Sequence, residues 1–315
     1  MTETILRYSE EKYIHTPPGA HVASCPGCGV LLSFRLFLSV IGEKVIIVGM
    51  AGCFNAMLNP LGRLGRSYQG KPIFQLHSQF GQGAIYGGGI KSALTLRGDT
   101  ETQVLVWAGD GATFDLGLAG VSGAAERNED IIYVCYDNEI YMNTGRHRSG
   151  ATPWQATTTN SPLPSPKQEY KKDIMSIIVA SSVPYAATAT PAYPDDLMRK
   201  AQKAKEIKGF RFLHILTPCP TGWQFPSELS LEMSRLAVDT KIFPLYEVEN
   251  GFDYTINKEP KGTPVEKYVK AQGRTRHMTP QQIEEFQVSV DKRWDRLQRL
   301  ARHGKYGQGE LGQSD

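Results

Sequence analysis

Residues 103–139 read QVLVWAGDGATFDLGLAGVSGAAERNEDIIYVCYDNE, and this stretch decides the fold. It opens and closes on apolar, β-branched runs. The first ends in Gly109-Asp110-Gly111 and the second in Asp137-Asn138. Neither run alternates strictly between apolar and polar residues, which is the pattern of strands covered on both faces. The segment between them suits a helix. Strand, helix, strand is one crossover of a parallel sheet, so Asp110 and Asn138, 28 positions apart, emerge at the same sheet edge on neighbouring strands.

Working outward, the same rhythm runs from residue 31 to residue 219. The pattern predicts strands at Val45–Met50, Gln103–Ala108, Ile131–Asp137, Pro184–Thr190 and Phe210–Leu216. It predicts helices at Leu31–Ile41, Ala84–Leu96, Leu116–Arg127, Lys171–Ser181 and Pro194–Ile207, the last opening on Pro-Asp-Asp, a good helix start. The expected fold class is α/β: an open, mostly parallel sheet with helices on both faces and ligands beyond the carboxyl ends of the strands. Two stretches break the rhythm. Residues 143–170 are rich in Thr, Ser and Pro, and an aperiodic loop of that length is usually functional. After Trp223 the chain turns charged and irregular, apart from a helical pattern at Pro280–Arg302. The expected division is an α/β domain over residues 1–223 and an arm over 224–315 that packs on partner subunits. A helix closing this chain's own core is an equal alternative for the last part.

Composition narrows the function. The 315 residues are 40% hydrophobic and 21% charged, the make-up of a globular protein. A formal charge of +3, with Lys and Arg scattered, gives no case for nucleic acid. No apolar run approaches the roughly 20 residues needed to cross a bilayer, so no membrane role is expected. MTETILRYSEEKYIH is charged from its third residue and does not read as a secretory signal. A cytoplasmic location follows as the expectation.

The chemistry begins with Asp110 and Asn138. A diphosphate is held through a divalent cation, and Mg²⁺ takes hard oxygen ligands such as an Asp carboxylate and an Asn amide oxygen. Gly109 and Gly111 beside Asp110 let the backbone approach phosphate oxygens, and Ala112 begins the segment whose amides face them. Asp-Gly alone is a common turn. With an Asn at this distance, both at strand ends, it is far more specific.

The five cysteines do not read as a disulfide framework in a cytosolic chain. Cys25 and Cys28 form Cys-Pro-Gly-Cys, Cys53 follows in Ala-Gly-Cys-Phe and Cys219 sits in Thr-Pro-Cys-Pro; Cys135 lies inside an apolar run and is a core thiol. The first four can gather on one [4Fe–4S] cluster. Their spacing by itself also admits a structural zinc site, although zinc sites usually pair two short knuckles.

With these residues in place, the chain resembles thiamine-diphosphate enzymes, whose cofactor motif runs from Gly-Asp-Gly to an Asn slightly fewer than 30 residues on. More closely, Tyr133–Glu139, Tyr141-Met142-Asn143-Thr144-Gly145, Thr157-Thr158-Thr159, Tyr246–Glu249 and Lys270–Arg274 resemble the β subunits of 2-oxoacid:ferredoxin oxidoreductases, over about residues 20–300. The resemblance implies that Asp110, Asn138 and the carbonyl of Ile140 hold Mg²⁺. It places Thr144 on the diphosphate, and Asn143 over the thiazolium ring near the substrate carboxylate. It also implies a [4Fe–4S] cluster on Cys25, Cys28, Cys53 and Cys219, with ferredoxin as electron acceptor. The other subunits would include a ferredoxin-like one and one supplying the glutamate that activates the aminopyrimidine ring. His77, ahead of the Gly-rich stretch 81–89, is a further catalytic candidate, with an ordinary structural histidine as the even alternative. Arg146, His147 and Arg148 could neutralise phosphate or carboxylate charge, or simply be solvated. The substrate expected is a small 2-oxoacid such as pyruvate, with or without coenzyme A. The small, polar runs Ser78–Gly83 and Gly87–Gly89 raise oxalate as a second possibility. A non-redox thiamine-diphosphate decarboxylase would have no use for the four cysteines, and a zinc-binding scaffold none for Asp110 and Asn138.

Overall fold

The computed structural model describes residues 24–58, 67–68, 71–72 and 74–303. Its main sheet has eight strands: β1 (Val45–Met50), β2 (Phe74–Ser78), β3 (Gln103–Gly109), β4 (Ile132–Asp137), β5 (Tyr185–Ala189), β6 (Arg211–Leu216), β7 (Tyr246–Glu249) and β8 (Asp253–Ile256). They lie in the order β8-β7-β5-β6-β4-β3-β1-β2. The six strands from β5 to β2 are parallel; β7 and β8 add antiparallel at the β5 edge. The five predicted strands are all present. β2, β7 and β8 are additions that the sequence pattern did not reveal.

The long helices are α1 (Gly29–Ile41), α3 (Gly83–Leu96), α4 (Leu118–Glu126), α6 (Pro194–Glu206), α8 (Ser230–Asp239) and α10 (Pro280–His303). The short ones are α2 (Cys53–Leu58), α5 (Ile174–Val179), α7 (Pro220–Trp223) and α9 (Val265–Lys270). Side chains along β3 and β4 alternate between two cores. Leu105, Trp107, Ile132, Val134 and Tyr136 pack with Phe34 and Phe37 of α1 and Leu197 of α6. Val104, Val106, Ala108, Tyr133 and Cys135 pack with Ala84 of α3, Val121 of α4 and Ile178 of α5. Coverage on both faces is why these strands are apolar throughout.

Three expectations change. The helix predicted from Leu116 begins at Leu118, after a π-helical turn over Gly111–Leu116 that follows Asp110 directly; such turns recur at functional sites. The helix predicted from Lys171 begins at Ile174, because the Asp173 side chain caps it by accepting from Ser176 N–H and Lys171 turns inward to other partners. The boundary expected at Trp223 cuts through one sheet, since β7 pairs with β5. Beyond it, α10 buries Ile283, Phe286, Val290, Trp294 and Leu297 on this chain, the first three sharing one cluster with Trp154, Val265 and Val269. Among the described residues no helix is long and apolar enough to cross a membrane.

Candidate active site

Sheet order sets the site. The neighbouring strands β1, β3, β4 and β6 end at Met50, Gly109, Asp137 and Leu216. The residues just beyond their carboxyl ends therefore stand in a row: Cys53, Asp110, Asn138, Cys219. A pocket opens over the middle of this row. It is lined by Cys53, Phe80, Gly109–Ala112, Asn138 and Ile140–Thr144, among others. Every residue expected to hold the cofactor lines it. His77 does not: it is exposed, at the end of the edge strand β2.

Asp110 and Asn138 are both buried. The Asn138 side-chain oxygen faces only acceptors, 3.0 Å from Asp110 Oδ1 and 2.6 Å from the Ile140 carbonyl oxygen; turned over, the amide would donate to both. The Asp110 carboxylate and the Ile140 carbonyl oxygen thus both meet the Asn138 amide. An octahedron with Mg–O bonds of ~2.1 Å has edges of about 3 Å, so this donor set fits Mg²⁺. Burial, and then the neighbouring Asp137, push the Asp110 carboxyl well above the usual carboxylate range. Ionised here, it needs a cation beside it. The other carboxylate oxygen, Oδ2, accepts from Ser149 Oγ at 2.5 Å. Gly111 is required by close approach, since a Cβ would meet the Tyr141 ring at 2.1 Å. Tyr141 in turn donates to Asp115 Oδ2 at 3.0 Å and stacks on Phe80.

The loop carrying Asn138 and Ile140 turns at Glu139, whose φ of +61° costs a side chain-bearing residue roughly 1–2 kcal/mol. Charged partners hold it there. Glu139 pairs with Arg274 on one carboxylate oxygen and with Lys171 on the other, 2.8 Å away. Lys171 also pairs with Asp137, which accepts from His214 Nε2 at 2.7 Å. Burial opposes the charge of Asp137, but Lys171 and His214 outweigh it and lower its carboxyl below the usual range. The sequence pattern did not single out Ser149, Glu139, Lys171 or Trp223 as functional.

The cysteines are arranged differently. Cys219 is buried at the start of α7, and Cys53 and Cys28 are partly buried; Cys25 is exposed. The Cys25–Cys28 turn is fastened to the Cys219 segment by Gly29 N–H donating to Pro218 O at 3.2 Å and by Ser230 Oγ donating to Gly27 O at 2.7 Å. Burial pushes the Cys53 and Cys219 thiols up to about 12, and the neighbouring thiols add to it. Among the described residues no three His, Cys, Asp or Glu side chains stand close enough to share one ion. A cubane is several ångströms across, and its ligands sit farther apart. Cys135 is wholly buried within β4, as expected of a core thiol.

Of the basic cluster, Arg146 donates to Thr157 O, Arg148 pairs with Glu169 and His147 lies 3.5 Å from Thr144 Oγ1. None of the three lines the pocket.

Known proteins place this arrangement. Residues 51–215 match the model of the thiamine pyrophosphate enzyme C-terminal TPP-binding domain. The ketoisovalerate oxidoreductase subunit VorB of Pyrococcus furiosus is 42% identical over 291 residues, covering 88% of this chain and 91% of its own. The pyruvate synthase subunit PorB of Methanocaldococcus jannaschii is 41% identical over 299 residues, covering 92% and 97%. PorB of Thermotoga maritima is 36% identical over 293 residues, covering 87% and 88%. Among solved structures, the 2-oxoglutarate:ferredoxin oxidoreductase of Magnetococcus marinus shares the fold with a TM-score of 0.55, at 20% identity over 72% of this chain and 81% of that one.

Proposed function

The chain belongs to the β subunits of the 2-oxoacid:ferredoxin oxidoreductases, and from that premise we propose that it binds thiamine diphosphate through Mg²⁺ and carries one [4Fe–4S] cluster. With its partner subunits it oxidatively decarboxylates a small 2-oxoacid and passes the electrons to ferredoxin. The observation that carries this reading is the convergence of oxygens from Asp110, Asn138 and Ile140 at the carboxyl ends of β3 and β4.

Bound thiamine diphosphate supplies a carbon nucleophile and an electron sink for loss of CO₂, and a cluster accepts single electrons. The chain's own residues supply the rest. Asp110, Asn138 and the Ile140 carbonyl hold the cation that anchors the diphosphate, with Ser149 fixing the free carboxylate oxygen of Asp110. Gly109, Gly111 and Ala112 present backbone to the phosphates, and Thr144 adds its hydroxyl. Asn143, at the pocket rim, orients the substrate carboxylate. Phe80, Tyr141 and Met142 wall the pocket against water. Cys53 lines the same pocket, its sulfur 4.0 Å from Asn138 Nδ2, so a cluster on Cys25, Cys28, Cys53 and Cys219 would adjoin the cofactor. The activating glutamate comes from a partner subunit. His77, outside the pocket wall, would act only on a substrate or partner approaching from the β2 edge.

For the substrate we favour a 2-oxoacid with an uncharged side chain, the kind named for VorB and PorB. The small residues that suggested oxalate have a packing reason. A Cβ on Gly83 would meet Met50 Sδ at 2.5 Å, and one on Gly87 would meet Val106 at 2.8 Å, so these glycines let α3 lie close on β1 and β3. The test is the anaerobically purified complex, analysed for metals and thiamine and assayed by viologen reduction with pyruvate, ketoisovalerate, 2-oxoglutarate and oxalate, with and without coenzyme A. The expected result is about four iron atoms per copy of this chain beyond those of the ferredoxin-like subunit, and reduction by an uncharged 2-oxoacid. Zinc in place of iron, or decarboxylation without viologen reduction, would overturn the redox assignment. Reduction by oxalate alone would overturn the substrate choice.

A further inference from the structure

Arg274 is wholly buried and stands where the two halves of the site meet. One arm of its guanidinium, Nη2, bonds Glu139 between the two metal-holding positions, while Nε donates to Gln272 Oε1 at 2.8 Å. The plane of the group lies on the Trp223 indole, 4.1 Å from the ring centroid. Trp223 ends the turn that starts at Cys219. Its backbone N–H donates to Cys219 O at 2.8 Å, and its indole N–H donates to Asn138 O at 2.7 Å. The chain of contacts therefore runs from Asn138 and Glu139 through Arg274 and Trp223 to Cys219.

We propose that Arg274 is a positioning residue with two separable effects: its planar fork locks the Asn138–Ile140 loop in register with the Cys219 turn, and its charge raises the reduction potential of a cluster bound at that turn. This rests on the cluster reading above. The observations favour a functional use over a plain structural ion pair. Glu139, the only carboxylate bonded to Arg274 among the described residues, is shared with Lys171. Nη1 of Arg274 is buried with no hydrogen-bond partner. The cation is thus only partly neutralised, and it lies over the ring of Trp223, whose backbone N–H closes the Cys219 turn. Reduction adds one negative charge to a cluster, and a fixed positive charge in a low-dielectric surrounding favours the more negative state.

The two effects separate by substitution. Arg274→Lys keeps the charge and loses the bidentate, stacked fork; Arg274→Gln loses both. The complex is purified anaerobically in each form. Thiamine diphosphate with Mg²⁺ is titrated by tryptophan fluorescence, and the cluster is titrated electrochemically with its electron paramagnetic resonance signal as readout. Both variants should bind thiamine diphosphate about tenfold more weakly than the unaltered complex. Only Arg274→Gln should shift the cluster, lowering its midpoint by about 59 mV, the one-electron equivalent of a tenfold change in the reduced-to-oxidised ratio. An unchanged midpoint in Arg274→Gln, or an equal fall in both variants, overturns the electrostatic effect. If Arg274→Gln fails to fold, Arg274→Lys still decides: cofactor affinity as in the unaltered complex refutes the locking role, and a lowered midpoint refutes the role of charge. An unaltered complex with no more iron than its ferredoxin-like subunit holds would overturn the cluster reading and this inference together, and metal analysis reports that separately from either variant.

Discussion

The two ligand sets of this site are built in opposite ways. The oxygens of Asp110, Asn138 and Ile140 are buried and already in mutual contact, because two adjacent parallel strands end beside each other and a strained, ion-paired Glu139 shapes the turn between two of them. The thiols of Cys25, Cys28, Cys53 and Cys219 come from three separate places in the fold, one thiol exposed, and those whose pKa is raised are protonated at neutral pH. Secondary structure can place oxygens on a fixed backbone without the ion. Thiols on turns draw together only when bonds to iron replace their protons. The oxygen corner should therefore exist before its ion arrives, whereas the sulfur corner should be completed by its cluster.

The largest expected effect breaks the oxygen corner. Asp110→Ala removes the only charged member of the set and should lower 2-oxoacid-dependent viologen reduction by a factor on the order of 10³. The purified complex should lose bound thiamine while retaining its iron, measured on the same sample. The next variant breaks the other corner. Cys219→Ala should cost about four iron atoms per copy of this chain but leave thiamine diphosphate bound, and it should abolish electron transfer to viologen. If Cys219→Ala instead emptied both sites, the two corners would assemble as one unit, and the contrast between preformed oxygens and gathered thiols would be wrong.

How much of this was legible in the sequence follows the same division. The central strands were readable because β1, β3, β4, β5 and β6 are buried on both faces and so apolar along their length. Asp110 and Asn138 were readable because they sit at the ends of two of them. β7 was missed because it is only four residues long and YEVE mixes charge with apolar residues, Glu247 being buried through its ion pairs, so it carries no clear period. The supporting residues were hidden for another reason. Ser149 lies 39 positions from Asp110, in an aperiodic loop, and Arg274 lies 135 positions from Glu139. Neither distance leaves a local pattern, and only the folded chain shows that a serine among many serines and an arginine among many arginines reach the site.

Ser149→Ala sharpens the account of the oxygen corner with a smaller effect. The serine hydroxyl donates to Asp110 Oδ2, and a hydrogen bond to a charged group contributes ~1.5–3 kcal/mol. Its loss should weaken thiamine diphosphate and Mg²⁺ binding by about tenfold or somewhat more, with iron content and cluster potential unchanged. A variant that bound the cofactor as tightly as the unaltered complex would mean that Asp110 is oriented by its strand end alone.

The smallest effect is expected far from both corners, and it separates local from global damage. Glu247 on β7 accepts from Tyr185 at 2.7 Å, Arg199 at 2.6 Å and Asn257 at 2.6 Å, tying the antiparallel edge to β5 and α6. Burial opposes its ionisation, but Arg199 and Tyr185 outweigh burial and bring its carboxyl down to about 2 from an ordinary 4.5. A depressed folded-state value means that the stabilisation is complete above pH 4.5 and fades as pH falls toward 2. Glu247→Gln should therefore lower stability by about 2 kcal/mol at neutral pH, read as a fall in Tm, and the gap from the unaltered chain should narrow steadily below pH 4.5. Iron and thiamine content at neutral pH should not move, because neither corner takes a residue from β7. A gap that stayed constant through the acid range would assign the loss to packing at the sheet edge rather than to the Glu247 charge.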